Sequence, residues 1–269
     1  MDLQVSYSDN PVTAELYDLI PAYANRSDKE FYLRRALGAT GKILELGCGT
    51  GRILIPIAEA GCAITGVDAS EHMLTRCRQK LGALPKSVTD RVRLIKGDMA
   101  HLKFDDTFSL AIIPFRAFQH LISTEDQLSC LSGLNRNLLP KAKLIFDVFN
   151  VRFDIVSNPN SSKEAEDFPE SRLKDGRLLR RASRIARFHR AEQYNEVEII
   201  YYLTSPDGTT DRIVHAFPFR YFFRYEIEHL LDRCGFRIIE LLGDFKGSPL
   251  SDDSPEMIFV AEKYKEVSS

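Results

Sequence analysis

Three carboxylates stand at the ends of short apolar runs. They are Glu45 in Ile43-Leu44-Glu45-Leu46, Asp68 in Ala63-Ile64-Thr65-Gly66-Val67-Asp68, and Asp98 after Val92-Arg93-Leu94-Ile95-Lys96-Gly97. The first run leads into Gly47-Cys48-Gly49-Thr50-Gly51. Glycines there let the backbone turn sharply and let a ligand approach the main chain. A helix starting behind such a turn offers unpaired N–H groups to an anion. Glu45 is awkward beside a pyrophosphate but suits a cationic amino-acid group. Asp68 can accept both hydroxyls of a ribose. Asp98 can accept a hydrogen bond from an adenine exocyclic amine, with Met99 against the ring. A nicotinamide fingerprint Gly-x-Gly-x-x-Gly would need glycine at position 52, where the chain has Arg52. A purely structural glycine turn is the other alternative.

The elements that position these residues alternate. Lys42–Leu46, Ala63–Asp68, Val92–Lys96, Phe108–Ile113 and Lys141–Phe149 read as strands. Helices run between them through Ile53, Ile57 and Ala58, through Met73, Leu74 and Cys77 behind a Ser70 cap, and over Glu125–Leu139, where Pro140 is expected to close the helix. This rhythm implies parallel pairing with right-handed crossovers and strands buried on both faces. It brings all three carboxylates to one edge of the sheet, where open α/β folds bind ligands. Before this core, Ala14–Ile20 and a segment from Ser27 through Leu37 read as helices, with Glu30 as capping-box partner of Ser27. Residues 151–175 read as an exposed loop. Residues 177–222 read as an antiparallel meander, with period-2 alternation around Val197–Leu203 and a hairpin turn at Ser205-Pro206-Asp207-Gly208. A helix over Tyr225–Cys234 ended by Gly235, then strands Phe236–Leu242 and Met257–Ala261, resume the α/β pattern.

With 269 residues, 44% of them hydrophobic, the chain can bury a large core. Its 36 Lys and Arg nearly balance 38 Asp and Glu, so no global field draws it to nucleic acid or anionic membrane. No run of 18 apolar residues suggests a transmembrane helix, and Met1–Asn10 does not read as a secretory signal. Cys48, Cys62, Cys77, Cys130 and Cys234 are odd in number and lack CxxC spacing, which fits reduced thiols in a cytoplasmic protein. His72, His101, His189, His215 and His229 show no metal-ligand spacing, so no metal is expected. Arg172, Lys174, Arg177, Arg180, Arg181, Arg184, Arg187 and Arg190 crowd one stretch. Such a run is either a solvated face or a site for an anionic acceptor or a partner.

Glu-Leu-Gly-Cys-Gly-Thr-Gly, then Val-Asp-Ala-Ser, then Lys-Gly-Asp-Met, resembles motifs I, II and III of the class I S-adenosylmethionine-dependent methyltransferases. The resemblance implies a Rossmann-like seven-stranded mixed α/β sheet whose last strand is antiparallel, with S-adenosyl-L-methionine as cofactor and S-adenosyl-L-homocysteine as product. It places Glu45, Gly47, Cys48, Gly49, Thr50, Gly51, Asp68, Ala69, Met73, Asp98, Met99 and Pro114 around the cofactor, with Tyr23, Arg26 and Tyr32 as further candidates. The segment Ile112–Leu121 lacks both the Asn/Asp-Pro-Pro-Tyr/Phe and the Pro-Cys motifs of base methyltransferases, which disfavours flipped-base chemistry.

Glu15–Ile20, Phe115–Leu121 and the meander Val197–Phe223 together resemble the N-methyltransferases that dimethylate nucleotide-linked amino sugars. Arg116, Phe118 and Gln119 are bulkier than that family's pattern. The resemblance assigns Tyr17 and His120 to the flanks of the acceptor atom. His120 is the natural general base near neutral pH. The implied organisation is an N-terminal helical lid (1–40), a cofactor-binding core (41–150), an antiparallel β insertion as substrate cap (151–222) and the rest of the core (223–269). The expected activity is methyl transfer to a nitrogen or oxygen of a small-molecule acceptor. A protein that binds the nucleoside without catalysis is the alternative, and association of two copies through the β insertion stays open.

Overall fold

The computed structural model describes residues 11–267 apart from Asn25 and Ser157. The reading of Met1–Asn10 lies outside the described residues. Seven strands form one sheet: β1 (Ile43–Leu46), β2 (Ile64–Asp68), β3 (Val92–Lys96), β4 (Phe108–Ile113), β5 (Leu138–Phe149), and the C-terminal β10 (Phe236–Leu242) and β11 (Glu256–Lys263). Their spatial order is β10-β11-β5-β4-β1-β2-β3. β3, β2, β1, β4 and β5 pair in parallel, whereas β11 runs antiparallel to both β5 and β10. This is the seven-stranded mixed sheet with an antiparallel last strand that the resemblance implies. The intervening strands β6 (Ala165–Arg172), β7 (Leu178–His189), β8 (Tyr194–Thr204) and β9 (Thr210–Arg220) form a separate antiparallel sheet in simple meander order.

The apolar strands are buried on both faces because helices cover both. Leu44, Leu46, Ala111, Ile113 and Phe146 pack with Leu131 and Leu134 of α7 (Thr124–Asn137) and with Ile227 and Leu231 of α9 (Arg224–Arg233). Their alternate neighbours Ile43, Ile112 and Ile145 face α3 (Asp28–Leu37), α4 (Leu54–Glu59) and α5 (Glu71–Gly82). Two-residue alternation within one strand thus divides the core into two layers. Short helices α1 (Pro11–Tyr17), α2 (Pro21–Ala24) and α8 (Phe153–Val156) lie outside these layers, while α6 (Lys86–Thr89) adds Val88 to the second. Leu16 and Ile20, on and after α1, pack with Leu179, Tyr201 and Leu203 of the second sheet. Ala14 and Tyr17 pack against Met73 of α5. The N-terminal segment therefore bridges the two sheets.

Several boundaries differ from the sequence expectation for identifiable reasons. Pro140 does not close α7. Leu138 is already extended and begins β5, and Asn137 Nδ2 donates to Gly133 O at 2.7 Å, satisfying one carbonyl of the last turn. Pro140 lies in an irregular stretch of β5 where the register against β4 jumps and Lys141 has φ of 64°. Ser27 makes no side-chain cap on α3; the buried acid after it, Asp28, is committed to arginines instead. Residues 151–175 are not all loop. β6 is a polar edge strand whose side chains carry no alternation, held by its ladder to β7 and by the pairs Arg181–Asp167 and Arg180–Glu166. Ser70 does cap α5, accepting from Met73 N at 3.3 Å, and Gly208 turns the β8–β9 hairpin with φ of 87°.

Gly51 has φ of 83°, and a Cβ placed there would lie 2.6 Å from Cys77 Sγ. Both the backbone conformation and the close packing on α5 exclude a side chain. Gly51→Ala is expected to cost about 2 kcal/mol or more and to lower the thermal midpoint by about 5 °C. An unchanged midpoint would show that the turn relaxes without cost.

Candidate functional site

A crevice of about 820 Å³ runs along the C-terminal ends of β1, β2, β3 and β4. Its floor is the glycine turn. Gly47 N and Cys48 N donate to Val67 O at 2.8 and 3.0 Å, which folds the turn back on β2. Gly47 and Gly49 adopt φ of 70° and 53°, a region where other residues are strained. A Cβ on Gly47 would meet Ala117 Cβ at 2.8 Å, whereas one on Gly49 would meet nothing within 4 Å. Gly47 thus admits the segment after β4, and Gly49 leaves open space over the turn.

Asp68 joins the turn to the start of α5. Its Oδ2 accepts from Gly49 N at 2.7 Å and its Oδ1 from Ser70 N at 2.8 Å. A carboxylate has about four acceptor directions, so lone pairs remain for two hydroxyls. Burial raises the Asp68 pKa, and the Ser70 and Gly49 N–H bonds oppose that rise. Glu45 is buried, and burial pushes its carboxyl well above the usual range. Its Oε2 has no hydrogen-bond partner. An unpartnered buried carboxylate oxygen on a ligand crevice is costly unless a cation or donor reaches it, and the ammonium of an amino-acid tail would do so. Asp98 is exposed; its Oδ1 accepts from Ala100 N at 2.8 Å and its Oδ2 lies 3.2 Å from His101 Nδ1. The donor and acceptor types in the crevice therefore fit S-adenosylmethionine.

Of the residues singled out from sequence, Tyr17, Glu45, Gly47, Cys48, Gly49, Thr50, Asp68, Ala69, Met73, Asp98, Met99, Pro114 and His120 all line the crevice. Gly51 does not line it and packs toward α5 instead. Tyr23 lines a smaller cavity of about 330 Å³ on the far side of Tyr17 and Arg52. Arg26 and Tyr32 do not line the crevice; they bind Asp147 beneath it, at 2.9 and 2.6 Å. The crevice also takes Phe115, Ala117 and Leu121, from the segment after β4 that the resemblance pointed to, and Arg52, Phe217 and Pro218, which sequence reasoning did not single out. Arg52 forms a two-point pair with buried Asp28 at 2.6 and 2.7 Å.

His120 ends a 3₁₀ turn, Ala117–His120, after β4. Its ring lies between Phe217 and Phe219 of β9, with centroids 5.2 and 5.1 Å away. Desolvation, then the nearby His215, push its pKa down to about 4. It is neutral at physiological pH. Its neighbour Gln119 is fully buried, donating to Arg220 O at 2.5 Å and accepting from Phe149 N at 3.0 Å, which ties the turn to β9 and to the end of β5. Tyr17 is buried against Tyr23 and Phe115, and burial raises its pKa, so it stays protonated. In the basic stretch, Arg177, Arg180, Arg181 and Arg184 are paired with acids, which neutralises much of that face.

The sheet order and the crevice at the strand ends are those of the class I methyltransferase fold, and residues 43–141 match the methyltransferase domain family. The chain is 28% identical to a putative methyltransferase, YqeM, of Bacillus subtilis, over 95% of this chain and 98% of that one. It shares the fold of the CcbJ methyltransferase of Streptomyces caelestis, with a TM-score of 0.72 at 23% identity, covering 94% and 96% of the two chains. It shares it also with CalS10, an amino pentose methyltransferase of Micromonospora echinaspora, with a TM-score of 0.69 at 20% identity, covering 96% and 98%. Among the described residues, no helix is long and apolar enough to cross a membrane.

Asp68→Ala removes the acceptor expected to bind the ribose hydroxyls. Hydrogen bonds to a charged group are worth about 1.5–3 kcal/mol, so S-adenosylhomocysteine should bind about tenfold to a hundredfold more weakly by calorimetry. An unchanged dissociation constant would remove Asp68 from the site.

Proposed function

We propose that the protein transfers a methyl group from S-adenosylmethionine to a nitrogen of a small-molecule acceptor. The observation that carries this reading is that His120 and Tyr17 open onto the same crevice as Glu45, Asp68 and Asp98. A group able to take a proton therefore adjoins the residues suited to the nucleoside. Phe115, Leu121, Phe217 and Pro218 wall that region with apolar surface, which suits a compact metabolite better than a nucleic-acid strand. The nitrogen preference draws on the sugar N-methyltransferase KedS8 of Streptoalloteichus, which has the same fold. An oxygen acceptor would use the same walls.

The bound sulfonium supplies an already activated methyl group. The protein's task is alignment, which can contribute about 7–11 kcal/mol. Glu45, Asp68 and Asp98 grip the donor. Neutral His120 accepts the proton that the acceptor atom gives up, and protonated Tyr17 donates a hydrogen bond to hold the acceptor. The N-terminal helices act as a lid. Asp18, following α1, accepts from Thr50 Oγ1 at 2.7 Å and from Lys80 Nζ at 3.0 Å, which latches the segment carrying Tyr17 onto the glycine turn.

A screen of primary and secondary amines and amino sugars with S-adenosylmethionine should yield a methylated product. With that acceptor, His120→Ala should lower turnover about a hundredfold while leaving S-adenosylhomocysteine affinity within about threefold. Because the folded His120 pKa lies below the ordinary value, its base form is complete above about pH 5 and is lost only as pH falls through about 4. The wild-type pH profile should therefore show no His120 inflection near 6.5. Equal losses of turnover and donor affinity would assign His120 a structural role.

A further inference from the structure

Phe115 and Arg116, between the end of β4 and the turn that carries His120, both have positive φ, 58° and 63°. Neither is glycine. Two consecutive left-handed residues with side chains are strained and persist only where the surroundings over-determine them. Four groups hold them here. Asp147 lies one residue past the Ile113–Phe146 pair of β4 and β5, where Pro114 has no N–H to offer. Its Oδ1 accepts from Phe115 N at 2.9 Å and from Tyr32 Oη at 2.6 Å. Glu256, at the start of β11, accepts from Arg116 Nη2 at 2.6 Å and Nε at 3.1 Å. Arg26 joins the two acids, donating to Asp147 at 2.9 Å and to Glu256 at 2.7 Å. Arg26 and Arg52 each set a guanidinium over the Phe115 ring, 4.9 Å from its centroid. Asp147 is wholly buried within the apolar run Leu144–Phe149, and Glu256 is nearly so. A core strand does not need a buried charge for stability, since apolar packing commonly serves as well or better.

We infer that Asp147 and Glu256, bridged by Arg26, are positioning residues: they clamp the Phe115–Arg116 turn in its strained form and thereby set His120 and the aromatic wall of the crevice. Asp147 does not line the crevice, so it acts through the turn. Gly47 lets Ala117 rest against the glycine turn, so release of the clamp would swing Ala117–His120 away from the crevice. The inference rests on the proposed function only for the reaction served; the clamp itself can be read without an acceptor or a donor.

The test uses the full chain, without ligand, carbon-13-labelled at histidine. The ring signals are followed by NMR from pH 3.5 to 8, with His120 identified from His120→Gln. In the wild type His120 should stay neutral down to about pH 4. Asp147→Asn should let the turn relax and water reach the ring, raising the His120 midpoint by at least about one unit toward 6.5. Arg116→Gly added to Asp147→Asn removes the strain at one of the two left-handed positions and should return the midpoint part of the way toward the wild-type value. With an acceptor from the amine screen, the same pair of variants should lose about tenfold to a hundredfold in kcat and recover part of it. S-adenosylhomocysteine affinity should stay within about threefold. If Asp147→Asn fails to fold, Glu256→Gln is measured in its place and should give a smaller shift, also partly reversed by Arg116→Gly. An unmoved His120 midpoint in the folded variant, or a shift that the glycine does not reduce, would overturn the clamp.

Discussion

The carboxylate of Asp68 accepts two main-chain N–H groups, one from the glycine turn at Gly49 and one from Ser70, the cap of α5. A single side chain at the end of β2 therefore fixes the loop behind β1 and the helix behind β2 relative to each other. The rest of the crevice depends on that constraint. Without it Gly49 would lack a partner for its N–H, and the floor would have no defined distance from the wall formed by Ala69, Ser70 and Met73. Each oxygen takes one of these bonds and keeps acceptor capacity for a further donor. Under the proposed function, the interaction that builds the site also equips it for the ribose diol.

Around this centre the chain brings elements from distant parts of the sequence. The core sheet supplies Glu45, Asp68 and Asp98 at adjacent strand ends, as parallel strands joined by helices must. The other end of the crevice has a different origin. Tyr17 comes from the N-terminal helix, His120 from the turn after β4, and Phe217 and Pro218 from the second sheet. These pieces are bound by polar contacts, through Gln119 to β9 and through Asp18 to the glycine turn, over small apolar clusters.

Much of the donor end was legible in the sequence because its signals are local. Glu45, Asp68 and Asp98 each follow an apolar run, and strand–turn–helix alternation fixes which edge they share. Tyr17 and His120 were reached through resemblance, since nothing in their own neighbourhoods distinguishes a ligand-facing ring from a packed one. Arg52 went unnoticed as a wall residue because its partner, Asp28, lies in another element. Asp147 was missed although it carried a signal: an acid inside Leu-Ile-Phe-Asp-Val-Phe is out of place in a buried strand unless something binds it. β6 was illegible because an edge strand exposed on most of its length needs no hydrophobic alternation. Pro140 misled because the helix had already ended, two residues earlier, for backbone reasons.

The most direct test of the central claim is a crystal structure of the protein with S-adenosylhomocysteine bound. The account predicts the ribose hydroxyls on Asp68, the adenine amine at Asp98, the amino group at the free oxygen of Glu45, and the sulfur directed toward His120 and Tyr17. A nucleoside bound elsewhere, or one whose sulfur faces away from those two rings, would contradict it.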